Sequence, residues 1–364
     1  MPERAIIPKP ISFGLMLSYR CSASCRHCMY ACGTDWPADY PTSRELSAIL
    51  EVIAPYIAPA PGGSDCVGIN YGLHFTGGEP FLNYPLLEEG LEAAAELDIP
   101  SVFIETNGFW ASDDDTVRER LSDLKQAGLK GIMISVNPFY LEHVPFERTR
   151  RLIKYSVEMF GPNTMVYQTE YYRRYLSEGI TGKKSFAESL EEYGPKGFRS
   201  RTEFFLNGRA PYALEDTGIF PHYPAEDLFA VPCMPAFLRS WHNHVDNYGN
   251  FIPGYCGGLS LGSITDLPSL VEDGLLLADR PVLWFIIRDD FAGLLRFAES
   301  EGYRRNPKGY LSKCHLCADI RLHLVRTDSF PELEPERFYS ELTSGATGPS
   351  ARRGPTGQYG SPPA

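Results

Sequence analysis

The 364-residue sequence contains no apolar stretch approaching the roughly 20 residues that cross a bilayer as a helix. Its one short apolar run near the start, residues 11–17, sits behind Pro8 and Pro10 and is followed by no small-residue cleavage site, so a secretory signal is excluded as well. No membrane association is expected, and a soluble, cytoplasmic protein is. A basic run interleaved with aromatics is also lacking. With 34 basic against 46 acidic side chains and a net charge of -12, nucleic acid is not an expected partner. Nor can the cysteines form a complete disulfide framework, because there are nine of them in a chain without a secretion signal. Metal ligation or free thiols are the expectation. Burial is not limiting, since 43% hydrophobic and 22% charged residues are ordinary globular composition for one large domain or two moderate ones.

What the densest cysteine cluster lacks is a fourth member. Cys21, Cys25 and Cys28 stand at C-x3-C-x2-C spacing. Three thiolates are one short of a closed zinc site, and a [4Fe-4S] cluster held by three cysteines keeps one iron open for another ligand. A second set, Cys233, Cys256, Cys314 and Cys317, has four members and ends in C-x2-C. That is a complete ligand set for either an iron-sulfur cluster or a structural zinc. Cys66 reads as inert packing, since cysteine is among the most buried residue types. The pair His242 and His244 beside Trp241 reads as surface or packing, and no metal is assigned to it.

From residue 11 to about 207, β-like runs alternate with helix-forming stretches, the pattern of successive βα units around a parallel sheet. Strands are expected at 11–18, up to Thr76, at 101–108, up to Asn137, around 163–171 and, more weakly, at 201–208. Helices are expected after the Thr42-Ser43 cap and at 85–97, 113–127 and 146–160. Six βα units fall short of the eight of a closed barrel, so the fold expected is α/β, a partial (β/α)6 TIM-like barrel. The cysteine loop, the Gly77-Gly78-Glu79-Pro80 turn, Thr106-Asn107 and Ser135 to Asn137 all leave C-terminal strand ends, the face on which such folds build their sites. Beyond residue 211 the texture changes to short Pro-, Gly- and aromatic-rich segments, with helical pattern returning at 267–277 and 282–299.

The cysteine spacing, paired with the GGEP turn one βα unit later, resembles the radical S-adenosylmethionine (SAM) superfamily. The resemblance implies that Cys21, Cys25 and Cys28 bind a [4Fe-4S] cluster whose open iron is chelated by SAM. It further implies reductive cleavage of SAM to a 5'-deoxyadenosyl radical that abstracts hydrogen from substrate. Gly77, Gly78 and Glu79 are then expected to hold the SAM amine, glycine by close backbone approach and the carboxylate by charge. Thr106, Asn107, Ser135 and Asn137 are expected to meet the ribose and carboxylate, with strand-end capping as the alternative role. His27 stands where the family usually has an aromatic ring beside the adenine, a mild departure.

The segment around Cys256, preceded by Cys233, resembles the first half of the SPASM/Twitch extension. This implies one auxiliary [4Fe-4S] cluster on Cys233, Cys256, Cys314 and Cys317, with zinc as the alternative. The expected domains are a radical SAM partial barrel at 1–220, an auxiliary cluster domain at 221–335 and a disordered tail at 336–364. Cys32 could donate a hydrogen atom to a substrate radical, as in some family epimerases, or be an idle thiol. The implied function is an oxidoreductase-type radical modification of a peptide, by crosslinking, epimerisation or oxidation. A small-molecule substrate is the alternative, and a non-catalytic iron-sulfur or zinc protein the remote one. Flavodoxin or ferredoxin would supply the electron. With ten residues before the first strand, a leader-binding domain has no room, and a separate peptide-recognition protein is expected.

Overall fold

The structure, a computed structural model, describes residues 3–344. Seven strands form its main sheet: β1 (Ser12–Met16), β2 (Gly72–Thr76), β3 (Phe103–Thr106), β4 (Gly131–Ser135), β5 (Thr164–Tyr167), β6 (Asn243–Val245) and β7 (Phe251–Ile252). Their spatial order is β5-β4-β3-β2-β1-β6-β7. All neighbours up to β6 are parallel, and β7 is antiparallel. This is an α/β fold with a parallel-rich sheet that stays open among the described residues.

The sixth parallel strand is not the expected one. Residues 201–208 form no strand. Instead, the Arg209 amide donates to the Cys28 carbonyl at 3.0 Å, and Phe204 packs edge-on to Phe139, so the segment is drawn onto the cysteine loop. β6 takes the sixth place from residues 243–245, on the free edge of β1 and not beside β5, with Phe13 opposite Asn243, Gly14 opposite His244 and Leu15 opposite Val245. The sheet therefore joins strands from either side of residue 220.

Alternation along the strands separates two chemistries. Phe13, Leu15, Leu73, Phe75, Ile104, Ile132 and Ile134, all fully buried, form one face under the helices. Gly90, on the helix Tyr84–Glu96, is where that helix approaches Phe75, because a Cβ there would lie 2.8 Å from its ring. The helix Ser43–Ile53 begins at a capping box, Thr42 with Glu45, and buries Leu46, Ile49, Leu50 and Ile53. Burial of each such side chain stabilises by about 1.5–3 kcal/mol. The helices Asp114–Gln126 and Phe146–Phe160 continue the layer, the first capped by Asp113. The opposite face carries Gly14, His74, Thr76, Glu105, Ser135, Tyr167 and His244, and Gly77, Gly78, Glu79, Thr106, Asn107 and Asn137 lie at or just beyond the C-terminal strand ends.

Residues 336–344, placed by sequence in the expected tail, are among the described residues. Arg337–Glu341 is a helix whose Phe338 and Tyr339 are buried. Phe338 fills the space beside Gly257 and Gly258, where an added Cβ would come within 2.8 Å or less of its ring. Two adjacent aromatics thus order a stretch that is otherwise poor in apolar residues. Residues 345–364 of the expected tail lie outside the described residues. Among the described residues, no helix is long and apolar enough to cross a membrane.

Candidate functional site

The cysteine loop leaves β1 and is fixed at both ends by backbone bonds. The Cys21 amide donates to the Gly33 carbonyl at 3.0 Å and the Gly33 amide to the Tyr19 carbonyl at 3.2 Å. From the far side, the buried Arg209 guanidinium donates to the carbonyls of Cys25 (3.0 Å), Ala31 (2.7 Å) and Cys32 (3.0 Å). Cys21, Cys25 and Cys28 are all free thiols. They line one wall of a cavity of about 210 Å³, together with His27 and Cys32. Burial pushes the Cys21 and Cys25 thiols well up, and neighbouring sulfur charge raises both further. Cys28 is instead drawn down to about 6, first by a hydrogen bond from the Cys32 thiol. Three sulfurs that repel one another as thiolates, in a largely buried pocket and free of disulfides, suit a compact polycationic centre. On that chemistry the donor set fits an iron-sulfur cluster.

The glycine turn closes against this loop. The Gly78 amide donates to the Ser18 carbonyl at 2.7 Å and the Glu79 amide to the Arg20 carbonyl at 3.1 Å. A Cβ on Gly78 would lie 1.9 Å from the Arg20 oxygen, and Gly77 has φ of +123°, so both positions require glycine. Gly77 and Gly78 line the cavity.

Glu79 does not. Its carboxylate turns inward and accepts from the Thr106 hydroxyl (2.8 Å), the Asn107 amide (2.9 Å) and the Phe81 amide (3.3 Å). Burial raises it to about 7, against those three donors. In this arrangement the carboxylate braces the end of β3 from behind the wall. Asn137 is likewise behind the wall, fully buried, its Oδ1 capping the short helix Pro138–Leu141 through the Phe139 and Tyr140 amides. Thr106, Asn107 and Ser135 do line the cavity. Asn107 Nδ2 points to the Cys21 sulfur at 3.7 Å and donates to Ser22 Oγ at 3.0 Å. His27 stacks on Phe139 at 4.5 Å and 14°, and burial lowers it to about 3, so it is a neutral flat ring on the cavity wall.

Several lining groups went unread in the sequence. Glu105 lies on the polar face of β3, raised to about 7 by burial and offset by one hydrogen bond, from Thr76 at 2.9 Å. Tyr140, Tyr167 and Tyr255 close the sides, and His242 and His244 the floor. Period-two alternation in 101–108 and 131–135 was the available signal for Glu105 and Ser135 sharing a face with the strand ends. His242 and His244, expected at the surface or in packing, are buried and face His74.

Cys233, Cys256, Cys314 and Cys317 converge on a second, narrower cavity of about 40 Å³, with Lys313 and Arg321 at its edge. The last two cysteines are three residues apart on the helix Lys313–Leu324 and so share one of its faces. Burial pushes the Cys233 thiol up to about 12, and Cys317 and Cys314 add to it. Tyr255 lines both cavities. Cys66, read as inert packing, is half-buried beside Gly62, away from either cavity.

Residues 15–160 match the model of the radical SAM superfamily. A search of curated proteins finds "Putative peptide biosynthesis protein YydG" of Bacillus subtilis (strain 168), 26% identical over 235 residues. That alignment spans 64% of this chain and 66% of the relative's length. Among solved structures, BtrN in complex with AdoMet and 2-DOIA superposes with a TM-score of 0.41 at 13% identity, covering 72% of this chain and 86% of that one. The segment that matches the radical SAM superfamily carries the three-cysteine loop, the glycine turn and most of the first four strands of the sheet.

Proposed function

We propose that the protein is a radical SAM enzyme that modifies a peptide. The observation that carries this is the convergence of three free cysteine thiols and the Gly77-Gly78 turn on one cavity beneath the C-terminal strand ends. Cys21, Cys25 and Cys28 would hold the [4Fe-4S] cluster, and SAM would lie between the glycine turn and the Thr106, Asn107 and Ser135 groups. When bound, the pair supplies a 5'-deoxyadenosyl radical able to take a hydrogen atom from an unactivated carbon. The chain's own residues position and exclude: the backbone of Gly77 and Gly78 approaches the ligand, Glu79 fixes Thr106 and Asn107, and the His27, Tyr140 and Tyr167 rings keep water from the site. We read the sheet as a partial barrel around this cavity. Cys32, which lines the same cavity, would return a hydrogen atom to the substrate radical.

The peptide assignment draws on the relative named for peptide biosynthesis, and leaves crosslinking, epimerisation and oxidation as the reaction types. A small-molecule substrate is the second reading. The four downstream cysteines would carry one auxiliary [4Fe-4S] cluster, separated from the first cavity by Tyr255, where it could accept the electron left on an oxidised substrate. A flavodoxin or ferredoxin would reduce the first cluster, a separate protein would present the peptide, and the whole would work in the cytoplasm.

The test is anaerobic reconstitution followed by dithionite and SAM. 5'-Deoxyadenosine is expected from the wild type and not from Cys25→Ala; equal yields would reject the enzyme. For the second site, about eight irons per chain are expected, falling by about four in a Cys314→Ala/Cys317→Ala variant, one [4Fe-4S] per site. Stoichiometric zinc with about four irons would replace the auxiliary cluster by a structural zinc.

A further inference from the structure

The floor of the first cavity holds three histidines that the radical reading does not use. His74 on β2 and His244 on β6 both stand opposite Gly14 of β1, one on each side. Strands two apart are about 9–10 Å from each other, so their side chains normally face the residue between. Here the residue between has no side chain. A Cβ on Gly14 would lie 2.3 Å from His74 Nε2 and 2.5 Å from His244 Cδ2, so the two imidazoles occupy the gap the glycine leaves. His242 completes the group from just before β6, where its backbone takes a left-handed φ of +55°. That conformation is uncommon for a non-glycine residue and persists where surroundings fix it. Its amide donates to Ser12 Oγ at 2.7 Å and its Nδ1 meets the Ile69 carbonyl at 2.8 Å.

One ring nitrogen from each histidine lies within 4.8 Å of the others. The outward nitrogens of two are already engaged. His242 Nδ1 donates to the Ile69 carbonyl, and His244 Nδ1 pairs with the Tyr30 hydroxyl at 2.9 Å, which itself reaches the Gly254 carbonyl at 3.3 Å. A bond of this kind from Nδ1 leaves Nε2 with its lone pair inward, as in histidines that ligate metals. His74, fully buried, has no hydrogen-bond partner on either nitrogen among the described residues. A buried polar atom without a partner is costly, so packing alone accounts poorly for this ring. Beside it, Glu105 Oε1 is 3.7 Å from His74 Nε2, while Oε2 is held by Thr76.

The geometry points to a binding site for one divalent transition-metal ion on His74, His242 and His244, with Glu105 as the carboxylate beside it. Imidazole with one carboxylate suits zinc or ferrous iron. His242, His244 and Glu105 also line the cavity, so a fourth or fifth position faces the space where a substrate would lie. An ion there would take a carbonyl or carboxylate oxygen of the substrate and anchor it across the cavity from the cysteine loop. The site rests on its own side chains and does not depend on the radical chemistry.

The experiment uses untagged protein with its iron-sulfur sites filled anaerobically and loose metal removed, titrated with Zn²⁺ against a chromogenic chelator. One equivalent of zinc is expected to bind, and His74→Phe and His242→Gln should each weaken it by about tenfold or more. Zinc-edge X-ray absorption on the loaded wild type needs no variant to fold. It should show nitrogen and oxygen at about 2.0–2.1 Å with imidazole scattering, and no sulfur shell at about 2.3 Å. No bound zinc, a sulfur shell, or unchanged affinity in both variants would each overturn the proposal. The 5'-deoxyadenosine yield of the same preparations is read separately, so loss of one reading is not mistaken for loss of the other.

Discussion

Replacing Glu79 separates two roles for the carboxylate, one facing SAM and one bracing β3. The wild-type group accepts from the Thr106 hydroxyl, the Asn107 amide and the Phe81 amide at 2.8, 2.9 and 3.3 Å. Glu79→Gln keeps one acceptor oxygen and turns an NH2 towards at least one donor. A buried backbone N–H left unpaired costs about 1–3 kcal/mol, so Gln should destabilise by about 2 kcal/mol at pH 7 and Ala, which strips all three donors, by about 3–5 kcal/mol. The pH dependence has a defined sign. Burial raises the folded-state value from 4.5 to about 7, so the carboxyl binds its proton more tightly folded than unfolded. Its contribution is therefore full below about 4.5 and is lost as pH rises through about 7. Gln does not titrate, and the gap between wild type and Glu79→Gln should narrow from pH 5 to pH 8. Urea unfolding followed by far-UV circular dichroism under anaerobic conditions reads both effects, with SAM binding measured alongside. If Gln and Ala both unfold within about 0.5 kcal/mol of wild type while SAM affinity collapses, the carboxylate acts on the ligand and the brace is wrong.

Arg209→Lys should lower bound iron by about four per chain, because a point charge cannot reach the Cys25, Ala31 and Cys32 carbonyls that the guanidinium spans; iron analysis after reconstitution checks it. Gly78→Ala puts a methyl 1.9 Å from the Arg20 oxygen. The displaced turn should cost about 1–3 kcal/mol, read as SAM binding weaker by about tenfold with iron content unchanged. Cys32→Ala should leave 5'-deoxyadenosine formation intact while abolishing solvent deuterium incorporation into product; retention of both would remove Cys32 from the chemistry.

How far the site could be read in the sequence depended on how local each feature is. The cysteine loop and glycine turn are fixed by spacing within a few residues, and the Ser43–Ile53 helix by Thr42 and Glu45 three residues apart. Both are legible because cause and effect lie in one stretch. Glu79 was legible as a residue, but its surroundings were not. Its environment is set by Thr106 and Asn107, 27 and 28 residues away, and a strand end cannot be seen to swallow a carboxylate before the strands are paired. The sixth strand failed for the same reason. Residues 201–208 look as β-like as 243–245, but the longer segment is recruited by Arg209 and Phe204 to the cysteine loop, and the shorter one is taken by the free edge of β1.

The histidine cluster marks the limit of reading residues one at a time. His74 sits in the middle of a strand, and His242 and His244 lie some 170 residues later beside a tryptophan. Nothing local joins them. What joins them is Gly14, a glycine inside a strand, a position that weakens the strand and often marks close approach by another group. Taken as a gap in the pleat, it asks which neighbouring side chains fill the space, and the register on both sides answers His74 and His244. Its alternation partners give the same answer for the cavity as a whole. Phe13 and Leu15 point to the helices, while Gly14 lies on the face of Thr76, Glu105 and Ser135. A larger residue at position 14 would keep the strand and the apolar face and would push the two imidazoles apart, which is why the glycine belongs to the site and not merely to the sheet.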